Sequence, residues 1–242
     1  MFVPVWDANA LKSLGFQYIT IAIVIANVLV FALFEMGMLN LVAAMTFEQI
    51  AGLGVVPREL LGAPALAPAS DGAVPSAWAP PEGLTLITYM FLHADWLHLI
   101  GNMAFLWVFG DNVEDAMGHA KFLLFYLLCG IFAGLVHTIA QSTSDSPLIG
   151  ASGAVAGVIA AYLMLHPNVR VWCLVLMKFP IRLSAGFILS VWIVLLQIVN
   201  VVMNVGGATA WWAHIGGFVA GALLVVFMRR PGVPLFDRAT GV

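Results

Sequence analysis

The chain has 242 residues, of which 62% are hydrophobic and only 9% charged, and its mean hydropathy is +1.03. Soluble domains run at about 45–50% apolar and about 25% charged, so this composition excludes a soluble globular protein and points to a polytopic membrane protein. A net charge of -3 leaves no electrostatic footprint for nucleic acid, and two distant cysteines, Cys129 and Cys173, offer neither a disulfide framework nor a metal cluster.

A membrane-spanning helix needs about 20 mostly apolar residues. The first such run is 16–34. It lacks a small-residue cleavage pattern and reads as an anchor rather than a leader. A connection from 35 to 95 follows, far beyond the usual loop of about 4–6 residues. Its first half, MGMLNLVAAMTFEQIAGLGVVPRELL, is apolar but too broken to span, which predicts short interfacial helices in the outer leaflet. Its later part, 63–83, carries Pro64, Pro68, Pro75, Pro80 and Pro81 and is predicted to be an irregular exposed loop. Span two is 96–113, span three 122–140 and span four 148–165. The segment VRVWCLVLMKF is too short to cross and is punctuated by Pro167 and Pro180. Span five is 184–203 and span six 210–228. The expected fold class is an all-α polytopic membrane protein, one six-span domain over 1–242 with short tails.

Charge supports that count. Cytoplasmic connections carry the excess of Lys and Arg. With six spans, Lys12, Lys121, Arg170, Lys178, Arg182, Arg229, Arg230 and Arg238 share one side, and Arg58 alone is on the other. Both termini are therefore expected in the cytoplasm.

Polar side chains are costly in hydrocarbon and mark function. Spans two, four and six enter from the same outer face. His98 and Asn102 lie in the first turns of span two, Ser152 near the start of span four, and His214 near the start of span six. At 1.5 Å rise per residue all sit at similar depth, on the order of 5–10 Å below their helix starts. A serine hydroxyl needs a base to take its proton, and histidine titrates in the right range. Asn102 and the Ser152 backbone N–H are suited to stabilise an oxyanion. Asp95 suits the N-cap of span two. No carboxylate is placed as a third member, so a Ser–His dyad is expected. Gly153 and Gly157, and Gly217 and Gly221, are four apart, a spacing that lets membrane helices approach closely.

Competing readings exist for each residue. Ser152 in a glycine-rich helix also fits plain packing, His214 fits proton transfer or gating, and His98 and Asn102 fit a bond to each other across one turn. His93, Asp95 and His98 lack a metal-ligand spacing, so no metal is expected. His119, His137 and His166 read as structural. A non-catalytic binder of transmembrane helices and a small transporter are the alternatives to an enzyme.

Taken together, FLHADWLHLIGNMAFLWVFGDNVED, LIGASGAVAG and WWAHIGGFVAG resemble the rhomboid intramembrane serine proteases in their bacterial six-span form. The resemblance runs from span one to span six. It implies Ser152 as nucleophile and His214 as general base and acid. It also implies an oxyanion site from Asn102, His98 and the Ser152 N–H, supported by His93, Gly150 and Gly153. Glu114 matches a structural acidic position. The long connection would be a membrane-associated first loop, and span five a gate for substrate. The implied partners are single-pass or polytopic membrane protein substrates and the lipid bilayer. The implied location is the cell inner membrane, and no cofactor is implied. Two departures stand out: Leu84 and Thr85 occupy positions where the family often has a Trp-Arg pair, and Ala156 one where it often has an aromatic residue.

Overall fold

A computed structural model describes residues 2–35, 52–63, 80–175, 178–191 and 210–237. In chain order the elements are β1 (Phe2–Asp7), α1 (Tyr18–Val30), α2 (Pro57–Leu60), α3 (Glu82–Thr88), α4 (Trp96–Met117), α5 (His119–Ala140), α6 (Ser152–Leu165), β2 (Arg170–Val175), β3 (Phe179–Ser184), α7 (Ala185–Val191) and α8 (Trp211–Met228). Among the described residues, α5 and α8 are long and apolar enough to cross a membrane. Their outward faces carry Leu124, Phe132, Ile139, Leu223 and Phe227, all exposed. Water would not tolerate such a surface, whereas lipid matches it.

At the centre is α6, which touches α4, α5, α7 and α8. From Gly153 to Ala161 every residue is buried. Nearly all are small or β-branched, so neighbouring backbones come close. A Cβ on Gly217 would run into the Gly153 carbonyl, and one on Gly221 into the Gly157 carbonyl. On the opposite flank, a Cβ on Gly157 would lie 2.5 Å from Cys129 Sγ, and one on Gly153 2.6 Å from Ala133 Cβ. The four glycines therefore set the spacing of α6 against both α5 and α8.

The other end of the bundle is held by carboxylates. No side chain of its own caps α1. Glu114 on α4 does so instead, accepting from the backbone N–H groups of Ile19 at 3.0 Å and Thr20 at 2.8 Å, and from the Thr20 hydroxyl at 2.7 Å. Asp115 accepts in the same way from the N–H groups of Lys12, Ser13 and Leu14. Each carboxylate satisfies donors that a helix start or turn would leave orphaned, and negative charge is favoured at a helix N-terminus.

Several expectations need correction. The fold is not all-α: β1, β2 and β3 form an antiparallel sheet in that order. The segment judged too short to span supplies β2 and β3, with Val171 and Cys173 buried between exposed Arg170 and Trp172, the alternation of a half-buried strand. Span four begins as helix only at Ser152, four residues after the expected start. Leu148 is instead bridged to Val55 by two backbone hydrogen bonds, and Gly150 takes a φ of +119° that ends any helical path. Helix α4 runs on to Met117, past the expected 113, and stops at Gly118 with φ +87°. Helix α5 starts at His119, ahead of 122, and the first span continues past Val30 as a π-helical turn to Glu35. Of span five only 184–191 is described, Ser184 ending β3 and Ala185–Val191 forming α7; residues 192–203 lie outside the described residues, as do 36–51 and 64–79 of the long connection. Its described parts include the short helices α2 and α3.

Two measurements check this packing. Gly217→Ala should destabilise the fold by at least about 1–3 kcal/mol, since backbone cannot yield as a side chain would. Gly101→Ala, where nothing lies within 4 Å of the added Cβ, should be neutral or stabilising by up to about 1 kcal/mol. Thermal unfolding in detergent separates the two. The second concerns Asp7, buried on β1, which accepts from the Tyr162 hydroxyl at 2.5 Å and from Asn112 Nδ2 at 3.3 Å. Burial pushes its carboxyl up from 3.8 to about 6, with the Tyr162 hydrogen bond pulling it back only in part. A raised carboxyl pKa stabilises the fold fully below the unfolded value, and that stability is lost as pH rises through about 6. Up to about 3 kcal/mol should therefore disappear across that window, and Asp7→Asn should flatten the dependence.

Candidate active site

Three helix starts meet at the end of the bundle opposite the carboxylates. Helix α4 begins at Asp95, whose carboxylate accepts from the His98 N–H at 2.8 Å and caps the helix as expected. This cap fixes the turn that carries His98 and, one turn on, Asn102. Helix α6 begins at Ser152 itself, and the first N–H with an intrahelical acceptor is that of Val155, bonded to the Ala151 carbonyl at 3.0 Å. The N–H groups of Ser152, Gly153 and Ala154 thus precede the helical ladder, at the positive end of the helix dipole. Helix α8 begins at Trp211, with the His214 N–H bonded to the Ala210 carbonyl at 3.2 Å.

Across the glycine-spaced contact of α6 and α8, His214 Nε2 lies 2.7 Å from Ser152 Oγ. In that geometry the imidazole can take the hydroxyl proton as the oxygen attacks an acyl carbon. The Trp211 ring meets the His214 ring edge-on at 5.8 Å. Ala156, the position where an aromatic residue was a missing expectation, is fully buried in α6.

Behind the serine stands a cluster of donors. The Asn102 amide nitrogen is buried and has no hydrogen-bond partner among the described residues. Leaving such a group unpaired costs about 1–3 kcal/mol, which is the mark of a donor held ready for a ligand. The Ala94 N–H donates to His98 Nδ1 over a long 3.4 Å. That bond assigns the proton of the neutral ring to Nε2, making it a second donor. Gly150 lies directly against this ring: an added Cβ would be 2.7 Å from both Cε1 and Nε2 of His98 and 3.9 Å from Asn102 Nδ2. With φ at +119° as well, glycine is required here for both reasons. Its N–H donates to the Tyr89 carbonyl at 2.8 Å. His93 is buried and meets His98 edge-on with ring centroids 5.0 Å apart, so it packs the donor from behind.

A cavity of about 390 Å³ opens onto the pair. Ser152, His214 and His98 line it, together with Trp211 and Leu148. His137 from α5 also lines it. Its expected role from sequence is structural. The depth reasoning that aligned spans two, four and six applies equally to the outer end of span three, and would have found it. Asp145 does not join the group; it pairs with Arg58 at 3.3 Å in the loop. Among the described residues no cluster of three or more His, Cys, Asp or Glu side chains is arranged to hold a metal ion.

A family model described as the Rhomboid domain matches residues 80–231, more than half of the chain, a range that includes His93, His98, Asn102, His137, Gly150, Ser152 and His214. RHOMBOID-like protein 1 of Arabidopsis thaliana is 29% identical over 235 residues, covering 93% of this chain and 57% of that protein. Rhomboid-like protease 3 of Toxoplasma gondii is 32% identical over 145 residues, 60% of this chain and 51% of its own length. Rhomboid protein 1, mitochondrial, of Saccharomyces cerevisiae is 29% identical over 150 residues, 58% of this chain and 40% of that protein. The chain spans about half the length of the curated relatives it matches. A helical bundle with an apolar exterior, a serine and a histidine in hydrogen-bond contact, and a match over most of its length place this chain in the rhomboid family of membrane proteins.

Proposed function

We propose that the chain is an intramembrane serine endopeptidase that cuts transmembrane substrates near the outer face of the membrane. The observation that carries this reading is the 2.7 Å contact of Ser152 Oγ with His214 Nε2 at a cavity mouth, beside an Asn102 amide nitrogen that has no partner among the described residues. Ser152 attacks the scissile carbonyl and His214 takes its proton. The carbonyl oxygen, now negative, is held by Asn102 Nδ2, His98 Nε2 and the Ser152 N–H. His214 then returns the proton to the leaving amine, and a water activated by the same imidazole releases the acyl-enzyme. His93, Gly150 and Gly153 support this site by packing. No cofactor or metal takes part in any step.

Six spans, one domain over 1–242 and both termini in the cytoplasm belong to the same proposal, as does residence in a bacterial inner membrane. The span count and the orientation rest on the distribution of eight Lys and Arg on one side against Arg58 on the other, and the bacterial inner membrane on the resemblance of the motifs. A helical substrate shields its peptide bonds, so the segment cut must unwind. Small or helix-breaking residues near the cleavage point lower that cost, since Gly and Pro weaken a helix by about 1 and about 3 kcal/mol.

Cleavage of a model transmembrane substrate by the purified chain in liposomes tests the reading. Ser152→Ala and His214→Ala should each reduce cleavage to background. Asn102→Ala should retain more activity than Ser152→Ala, losing roughly 10²–10³-fold. Equal cutting by the native chain and Ser152→Ala would sink the proposal, and complete loss in Asn102→Ala with a collapsed thermal midpoint would make that residue structural.

A further inference from the structure

The three-stranded sheet lies at the carboxylate end of the bundle, remote from the serine. Its register divides it into two unlike faces. The inner face carries Pro4, Asp7, Val171 and Cys173, all buried, and β1 packs on α4. The outer face carries a row of three paired residues: Trp6 opposite Trp172, and Trp172 opposite Arg182. Trp6 is 57% exposed and Trp172 37%. The Arg182 guanidinium stands 5.9 Å over the Trp172 ring. Arg170 is exposed on the same face, two residues from Trp172. At the tip, Lys178 stands 5.9 Å from the exposed Phe179 ring.

Among the described residues, no carboxylate balances these cations. The one acidic residue in the three strands is Asp7, and it is buried on the inner face. Arg170, Lys178 and Arg182 form no ion pair among the described residues. A patch of tryptophan and unpaired arginine would be a liability in water. It matches the headgroup layer of a bilayer, where the ring sits among the glycerol groups and the cation meets phosphate.

We propose that the outer face of this sheet is a binding surface for anionic phospholipid headgroups in the leaflet at the carboxylate end of the bundle. Trp6 and Trp172 enter the interface, and Arg170, Lys178 and Arg182 contact the headgroups. Charge complementarity favours this occupant over a second copy of the chain, whose identical cations would face these. Because Ser184 of β3 leads directly into Ala185 of α7, bound lipid also fixes the foot of that helix. The inference is independent of the proteolytic reading.

The test uses the purified full chain in phosphatidylcholine vesicles doped with brominated phosphatidylglycerol or, at the same fraction, brominated phosphatidylcholine. Bromine quenches nearby indole fluorescence. The chain has eight tryptophans, so the signal is the difference from the Trp6→Phe, Trp172→Phe double variant. The anionic lipid should quench this component more strongly than the zwitterionic one. The preference should weaken on the order of fivefold for each of Arg170→Gln, Lys178→Gln and Arg182→Gln. It should also fade with added salt in the unmutated chain, a readout that no misfolded variant can mimic. Ser152→Ala should keep the full preference, so loss of proteolysis and loss of lipid selectivity are told apart. Equal quenching by the two lipids at low salt overturns the proposal. Absence of quenching by either also overturns it, because the face is then in water or covered by protein.

Discussion

The approach of α6 to α8 is the constraint on which the functional end of this protein depends. Glycine carbonyls of one helix occupy the space where side chains of the other would begin, at Gly153 against Gly217 and at Gly157 against Gly221. Only at this separation can an imidazole on α8 reach a hydroxyl on α6 directly, at 2.7 Å. In a bilayer such contact cannot rely on expulsion of water, because lipid tails are as apolar as the side chains they would replace. Packing contact and the shape of small residues have to supply the attraction. The same glycines that let α6 and α8 pack closely thus bring Ser152 and His214 within reach of each other.

The two ends of the bundle solve the problem of polar groups in an apolar setting in opposite ways. At one end, Glu114 and Asp115 are saturated with backbone donors and are stabilising wherever α1 and the segment before it are in place. At the other, Asn102 has a buried amide nitrogen with no partner among the described residues, and the first N–H groups of α6 stand outside the helical ladder. Unpaired donors cost stability where a substrate is absent and are repaid where charge develops. The carboxylate end ties α1 and the segment before it to α4, whose opposite tip carries Asn102.

Some of this was legible in the chain itself. Apolar runs located the helices because hydrocarbon requires an unbroken apolar stretch, and Asp95 announced the start of α4 because a capping side chain is a local signal. Other features were not legible. The start of α6 at Ser152 depends on Leu148 pairing with Val55, a partner 93 positions away in sequence. The sheet depends on residues 2–7 meeting 170–175, and neither segment alone alternates long enough to declare itself. Asp115 holds three backbone N–H groups only because residues 12–14 lie against the end of α4, about 100 positions away in sequence. His137, expected to be structural from its place on the far stretch of span three, lines the cavity because α5 packs against both α6 and α8.

What the sequence by itself determined is the class of protein and the depth of its polar groups: composition excludes water as the surrounding solvent, and helical rise converts position into depth. What only the tertiary structure decided is which of those groups touch. Depth constrains one coordinate of three. The remaining two, rotation about each helix axis and distance between axes, are set by the glycine contacts, by the bridge that delays α6 until Ser152, and by the Asp95 cap on the first turn of α4.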